Sequence, residues 1–210
     1  MDSEDKTIWL LRHAESEANR DCIIQGHFDT ELTDKGELQA LQTAIHFHNH
    51  KDKLKIQNLF SSDLKRAIST AKPIAKKLGL KILIEKHLRE AHFGKWEGIP
   101  AKEISQDDKE IYKKWKNSKA WRPEWCESFE ELQKRALKKL TEISKLKGNS
   151  LVVTHGGLIH SILAHYLGSS DNITLKNCSI SKLKINNSQI NIEEVNIVAS
   201  NLLKTELNNI

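Results

Sequence analysis

The chain has 210 residues, of which 38% are hydrophobic and 29% charged, with a formal net charge of +5. This composition excludes an intrinsically disordered chain, and no apolar run approaches the roughly 20 residues that a membrane-spanning helix needs. The cysteines Cys22, Cys126 and Cys178 are odd in number and far apart, which argues against a disulfide framework. The start MDSEDKTIW lacks the basic region and cleavage site of a signal peptide, so we expect a cytoplasmic protein with no membrane partner.

The positive charge is concentrated in two lysine-rich stretches, residues 51–55 and 109–119. No aromatic and basic motif of an RNA-binding module accompanies them, so we interpret them as solvated surfaces and expect no nucleic-acid partner. A mildly positive field still favours small anionic substrates.

Apolar runs typical of strands alternate with amphipathic stretches typical of helices, without an internal repeat or a linker. In chain order, the pattern predicts a strand at 7–11, a helix at 33–46, a strand at 58–61, a helix at 64–78, a strand at 81–84, helices at 107–116 and 128–146, a strand at 151–154, a helix at 157–167, and paired strands at 179–185 and 189–195. Ser128 and Glu131 have the spacing of a capping box. Pro73 is expected to kink its helix or to remove a hydrogen bond.

This alternation predicts an α/β fold, a three-layer α/β/α sandwich whose mostly parallel sheet has helices on both faces. We interpret residues 1–210 as a single domain with a small cap-like insertion around 99–126. In such sheets, ligands bind outside the carboxyl ends of the strands.

Two of the predicted strands end next to a histidine. His13 follows the first strand, and His155 follows the strand at 151–154, in each case before a polar segment or a helix start that favours anions. A single histidine at a strand end is more often a structural residue. The repetition at two strand ends instead points to a shared site.

Three charged residues are placed near the same edge of the predicted sheet. Arg12 precedes His13, Arg66 follows the strand at 58–61, and Glu90 follows the strand at 81–84. Two guanidinium groups bind a phosphate group with paired hydrogen bonds. A neutral histidine nitrogen can attack phosphorus, and a carboxyl group can protonate a leaving oxygen.

The chain resembles the histidine phosphatase superfamily, the phosphoglycerate-mutase-like or RHG-motif family, and its phosphatase branch in particular. The resemblance extends from Ile8 to about Leu183 and is carried by motifs in the order of the family: LLRHAESEAN, IIQGHFDTELTDKGELQA, FSSDLKRAISTA, LREAHFGKWEG, ESFEELQKR, LVVTHGGLIHSILAHYLG and NCSISKL. A single motif of this kind arises by chance, but the ordered set is highly specific.

The resemblance implies a role for each matching residue. His13 is the expected nucleophile, and Glu90 is the expected general acid. The residues expected to bind the phosphoryl oxygens are Arg12, Arg66 and His155, and those expected to line the phosphate or substrate pocket are Asn19, Gln25, Gly26 and Gly156. No metal and no cofactor are implied, and the expected ligand is a small phosphorylated substrate.

Three functions remain open at this point. The FGKWEG loop and the short stretch 99–126 favour a phosphatase over a phosphoglycerate mutase, which needs a more closed site. A non-catalytic phosphate-binding module is disfavoured, because each expected catalytic position is filled. The identity of the substrate and the oligomeric state are not determined by the sequence.

The insertion contains a lysine-rich helix and several tryptophans, which form either a cap over the substrate or an ordinary amphipathic helix. Trp121 and Arg122 are the candidates for substrate selection. The spacing of His46, His48 and His50 resembles a metal cluster, but no carboxylate with a recognised spacing accompanies them, so we expect no metal site.

Overall fold

A computed structural model describes residues 6–118, 120–170, 172–186 and 189–198. Its strands are β1 (Lys6–Arg12), β2 (Ile56–Ser61), β3 (Ile82–Ile84), β4 (Asn149–Thr154), β5 (Ser179–Asn186) and β6 (Gln189–Val198). Its helices are α1 (Glu17–Arg20), α2 (Asp34–Asn49), α3 (Lys51–Leu54), α4 (Lys65–Leu78), α5 (Lys109–Asn117), α6 (Phe129–Ser144) and α7 (Gly156–Leu167). Short 3-10 turns occur at Lys86–Leu88, Gly94–Trp96 and Ala101–Glu103.

The six strands form one sheet in the order β3-β2-β4-β1-β5-β6. Neighbours from β3 to β1 are parallel, whereas β5 is antiparallel to both β1 and β6. The prediction of a mostly parallel sheet in an α/β fold is therefore confirmed. The paired strands of the tail are confirmed as well, although the turn residues 187 and 188 lie outside the described residues.

Helices cover both faces of the sheet, as predicted. Ile8 and Leu10 of β1 belong to the hydrophobic core shared with α6 and α7, while Trp9 and Leu11 belong to the core shared with α2 and α4. Successive side chains of a strand point to opposite faces. An apolar run buried on both faces is thus the reason that β1 lies in the centre of the sheet.

Several helix boundaries differ from prediction for local reasons. Helix α2 continues three residues past His46, because Phe47 is buried in the core at 1% exposure. Helix α5 begins at Lys109 rather than 107, and the carboxylate of Asp108 does not cap it because it binds Lys95 and Trp96. Helix α4 continues through Pro73 to a left-handed Gly79. No described helix is long and apolar enough to cross a bilayer.

Candidate active site

The register of the central strands brings the two predicted histidines together. Strands β1 and β4 are adjacent and parallel, and Arg12 pairs with Thr154 at their carboxyl ends. The backbone N–H of His13 donates to the Thr154 carbonyl at 2.9 Å. The ring centroids of His13 and His155 are consequently 5.2 Å apart, although 142 positions separate these residues in the chain.

The imidazole of His13 is held in one tautomer. Its Nδ1 lies 2.7 Å from the Ala14 carbonyl, and because a carbonyl can only accept, Nδ1 must carry the proton. The Nε2 atom of the neutral ring then keeps its lone pair. Burial lowers the pKa of His13 well below 6.5, and the charges of Arg66 and Arg12 lower it further. The ring therefore stays neutral, the form needed for nucleophilic attack.

His155 is fixed by a neighbour that sequence reasoning missed. Its Nε2 lies 2.9 Å from Ser62 Oγ, which also accepts from the backbone N–H of Leu64. Ser62 can therefore donate its proton to Nε2, and in that arrangement the imidazole proton is on Nδ1. Burial, followed by the charge of Arg66, lowers the pKa of His155 well below 6.5. The motif FSSDLKRAISTA contains Ser62, but the contact of Ser62 with His155 exists only in the folded structure.

Arg66 is fully buried at the start of α4, at 0% exposure. Its Nη2 donates to the Gly26 carbonyl at 2.7 Å, and its Nη1 donates to the Phe28 carbonyl at 3.0 Å. Asp29 accepts from Nη1 at 3.2 Å and so partly neutralises the guanidinium. Burial lowers the pKa of Arg66, and the charges of Glu90 and Asp29 oppose that shift.

Arg12 lies against the start of α7. Its Nη1 donates to the Leu175 carbonyl at 2.6 Å, and its Nε lies 3.4 Å from the position of a Cβ at Gly156, an ordinary contact distance. The guanidinium is therefore close to the first turn of α7, where backbone N–H groups lack helical partners.

Three nitrogen atoms of the predicted phosphate-binding residues share one property. Within the described residues, Arg12 Nε, Arg66 Nε and His155 Nδ1 are buried and have no hydrogen-bond partner. Buried polar groups are normally paired, and leaving one unpaired costs about 1–3 kcal/mol. Arg12 and Arg66 both lower the pKa of His13 and of His155, so these unpaired donors surround one site and suit a phosphoryl group with its several acceptor oxygens.

Glu90 faces the same site and is held by backbone donors. The N–H of Gly157 donates to Oε2 and that of Ala91 to Oε1, both at 2.9 Å. A Cβ at Gly157 would lie 2.3 Å from Oε1, so the carboxylate occupies the space that any larger residue would need. Of the two glycines after His155, Gly157 is therefore the one that the approach of Glu90 requires.

Arg135 of α6 holds the segment that carries Glu90, and sequence reasoning did not identify it. It donates to the carbonyls of His87, Arg89 and Glu90 at 2.8–2.9 Å. It also forms two bonds to the Glu127 carboxylate, at 2.6 and 2.9 Å. The motif ESFEELQKR contains both charged residues, which was the available signal.

We expect Arg135→Met to lower the free energy of unfolding by about 2–4 kcal/mol, because three carbonyls and a largely buried carboxylate lose their partner. Urea unfolding measures this effect, and kcat is expected to fall with it. The matched variant Arg20→Met removes an exposed ion pair with Asp21 and is expected to cause no measurable change. Equal stability of both variants would contradict the stabilising role of the Arg135 hydrogen bonds.

The pocket residues predicted by resemblance lie on the loop beside His13. Asn19 Oδ1 accepts from the backbone N–H of Ser16 and from Asn177 Nδ2, whose other bond reaches the His13 carbonyl. Gln25 accepts from the Ser16 hydroxyl at 2.9 Å. Gly26 has φ +52°, a conformation that favours glycine. These residues shape the loop around His13, but they do not line the neighbouring cavity.

That cavity has a volume of about 360 Å³ and opens beside Arg12 and Glu90. The lining side chains and glycines are Arg12, Glu90, Phe93, Trp115, Lys116, Arg122, Gly156, Gly157, His160 and Leu175. Arg122, predicted for substrate selection, is among them. Trp121 is absent from this lining and lies under Lys114 Nζ, 4.2 Å from its ring centroid.

The two buried neutral histidines predict a pH dependence of stability. Their folded pKa values lie well below 6.5, so the unfolded chain binds protons that the folded chain does not as pH falls through that value. Keeping these histidines neutral therefore costs the folded state nothing above about pH 6.5. Below that pH, the free energy of unfolding falls by up to about 1.4 kcal/mol per pH unit for each histidine. Urea unfolding at several pH values is therefore expected to show a shallower slope for His13→Asn than for the parent. An unchanged slope would contradict this.

The sequence of residues 8–198 matches the family model of the histidine phosphatase superfamily (branch 1). Phosphoglycerate mutase-like protein 4 of Arabidopsis thaliana is 39% identical over 170 residues, which cover 77% of this chain and 73% of the relative. The adenosylcobalamin/alpha-ribazole phosphatase of Escherichia coli (strain K12) is 31% identical over 168 residues, with 77% and 79% covered. A structure of mycobacterial glucosyl-3-phosphoglycerate phosphatase with VO3 has a TM-score of 0.80 at 26% identity, with 90% and 98% covered.

The chain belongs to the histidine phosphatase superfamily. Relatives named as phosphatases confirm the predicted class, a phosphoric monoester hydrolase, and the resemblance on which the residue roles were based. Relatives named as mutases occur in the same family, so the balance between hydrolysis and transfer depends on the site itself.

Proposed function

We propose that the chain hydrolyses phosphomonoesters of small metabolites through a phosphohistidine on His13, without a metal ion. The observation that supports this most directly is the fixed tautomer of His13, whose Nε2 lone pair is free. It is reinforced by the unpartnered donor atoms of Arg12, Arg66 and His155. Together they provide a nucleophile and a cationic cradle for the group that it attacks.

In the first step, His13 Nε2 forms a bond to phosphorus while the bond from phosphorus to the ester oxygen breaks. Glu90 in its protonated form gives its proton to that oxygen, and the alcohol leaves. Phosphoryl transfer spreads charge over the equatorial oxygens, so the guanidinium groups of Arg12 and Arg66 and the Nδ1–H of His155 stabilise the transition state. A backbone N–H at Gly156 adds a further donor.

In the second step, water attacks the phosphohistidine, and the bond from phosphorus to His13 Nε2 breaks. The Glu90 carboxylate accepts a proton from that water, which regenerates the acid for the next cycle. Inorganic phosphate then leaves. We assign to Asn19, Gln25 and Gly26 the role of shaping the loop beside His13. The carbonyl of Gly26 also accepts a hydrogen bond from Arg66 and so helps to position that guanidinium.

The substrate we propose is a small phosphorylated metabolite, which suits a cavity of about 360 Å³. The names of the relatives, adenosylcobalamin/alpha-ribazole phosphatase and glucosyl-3-phosphoglycerate phosphatase, support this class. We also propose one domain over residues 1–210, with 99–126 as a cap, since Trp115 and Lys116 of α5 line the cavity. A cytoplasmic location is supported by three free cysteines.

The test is hydrolysis of 4-nitrophenyl phosphate in excess chelator, together with rapid quenching in alkali, which preserves phosphohistidine. We expect turnover and an acid-labile phosphoenzyme. Absence of turnover on a panel of phosphomonoesters would favour the non-catalytic module. Transfer to a second hydroxyl of a phosphoglycerate, faster than release of phosphate to water, would favour the mutase.

A further inference from the structure

Two cations that line the cavity, Arg122 and Lys116, are not used by the proposed phosphoryl chemistry. Arg122 follows the cap helix α5 in sequence and lines the cavity together with Arg12 and Glu90. Its Cζ lies 5.1 Å from the ring centroid of Phe93 and 6.0 Å from that of Phe129. The guanidinium therefore lies beside two aromatic rings at the wall of the cavity.

Arg122 is partly buried and lacks the partner that such an arginine normally has. Within the described part of the chain it forms no hydrogen bond or ion pair, and its Nε is buried. The neighbouring acids are committed elsewhere, since Glu90 accepts from the Gly157 N–H and Glu127 is paired with Arg135. A guanidinium partly removed from water without a paired carboxylate lowers the stability of the folded state, so its retention calls for another explanation.

Contact with the rings uses none of the hydrogen-bonding groups of the guanidinium. Its N–H groups lie in the plane and form a fork that matches carboxylate or phosphate oxygens. Lys116 lines the same cavity and adds a second positive charge. Glu90 is the single acidic residue among the described residues of this lining. The cavity thus offers cationic groups beyond those needed for one phosphoryl group.

We propose that the substrates carry a second anionic group, either a carboxylate or a second phosphate, which binds to Arg122. This inference rests on the proposed function, because it assigns the scissile phosphate to the site of His13. Arg122 then selects substrates by charge at the end of the molecule that does not react. A purely structural arginine would instead affect all substrates equally.

The experiment compares matched esters that differ only in the second group: propyl phosphate, 3-phosphonooxypropanoate and propane-1,3-diyl bisphosphate, with phenyl phosphate, 4-carboxyphenyl phosphate and 1,4-phenylene bisphosphate as a longer series. Among the esters that carry a second anionic group, we expect Arg122→Gln to raise KM for the preferred class by about 10- to 100-fold, the effect of losing a charge-assisted bond. The esters without a second anion are expected to change less than about threefold. Preference between carboxylate and phosphate esters separates the two sources of the anion.

Two further variants make the result specific. Arg122→Lys keeps the charge but loses the planar fork, so it is expected to restore part of the discrimination. Lys114→Gln removes a charge from the same cap helix at a position outside the cavity lining, and it is expected to leave all KM values unchanged. Thermal unfolding checks that the Arg122 variants remain folded. A loss shared equally by all esters, or no loss for any, would overturn the proposal.

Binding of non-hydrolysable phosphonates keeps this test separate from turnover. Calorimetry with propylphosphonate, 3-phosphonopropanoate and propane-1,3-bisphosphonate measures the same discrimination in the parent and in Arg122→Gln. Selective binding without hydrolysis would contradict the proposed function alone. Hydrolysis without selective binding would contradict the role of Arg122 alone.

Discussion

Replacing His13 by asparagine is expected to lower kcat for phosphomonoester hydrolysis by about 10⁴-fold or more, the range found when a covalent nucleophile is removed. The amide has no basic nitrogen lone pair with which to attack phosphorus. Its size still fits the buried position, where His13 is 3% exposed. Steady-state assays measure the loss, and trapping in alkali is expected to detect no phosphoenzyme in this variant.

The matched control is His165→Asn, which removes an exposed imidazole that meets the Tyr166 ring edge to face and lies outside the cavity lining. We expect parental activity and a normal phosphoenzyme from this control. A phosphoenzyme that still forms in His13→Asn would place the nucleophile elsewhere and would refute the mechanism.

Replacing Glu90 by glutamine is expected to lower kcat/KM for alkyl phosphates by about 10²–10⁴-fold, the usual contribution of a general acid. An alkoxide is a poor leaving group, so its departure depends on the proton that the carboxyl group supplies. Nitrophenolate leaves without that proton, so kcat/KM for 4-nitrophenyl phosphate is expected to fall about tenfold or less. This parameter reports only the steps up to formation of the phosphoenzyme.

The same variant is expected to accumulate phosphoenzyme with 4-nitrophenyl phosphate, because Glu90 also serves as the base for the attacking water. A burst of nitrophenol equal to the enzyme concentration, followed by slow turnover, is the observable. The two esters act as internal controls for each other in one variant. Equal losses for alkyl and nitrophenyl esters, without a burst, would show that Glu90 does not transfer the proton.

Much of the site was predictable from sequence because its residues come directly after recognisable strands. His13 and His155 were identified in this way, since parallel strands place their carboxyl ends at one edge. Ser62 and Arg135 were not identified. Ser62 contacts His155, 93 positions away, and Arg135 contacts the Glu90 carbonyl, 45 positions away. No local sequence pattern indicates contacts over such separations.

The substrate side was less predictable than the phosphate side. Trp121 and Arg122 were equivalent candidates in the sequence, since both are large residues of the proposed cap. Only the folded structure separates them, with Arg122 at the cavity wall and Trp121 against Lys114. Which face of a loop points inward depends on packing against Phe93 and Phe129, and loops have no period from which a face can be derived.

The sequence by itself determined the layers of this protein, because strands and helices that repeat with fixed periods must bury their apolar faces in a parallel sheet. It also determined the chemical types present at the strand ends. Tertiary structure alone decided the proton positions and the pairing. The tautomer of His13 depends on the Ala14 carbonyl, that of His155 on Ser62, and the place of Arg122 at the cavity wall on its contact with Phe93. These are distances of a few ångströms between atoms, and they are set by how the packed elements meet.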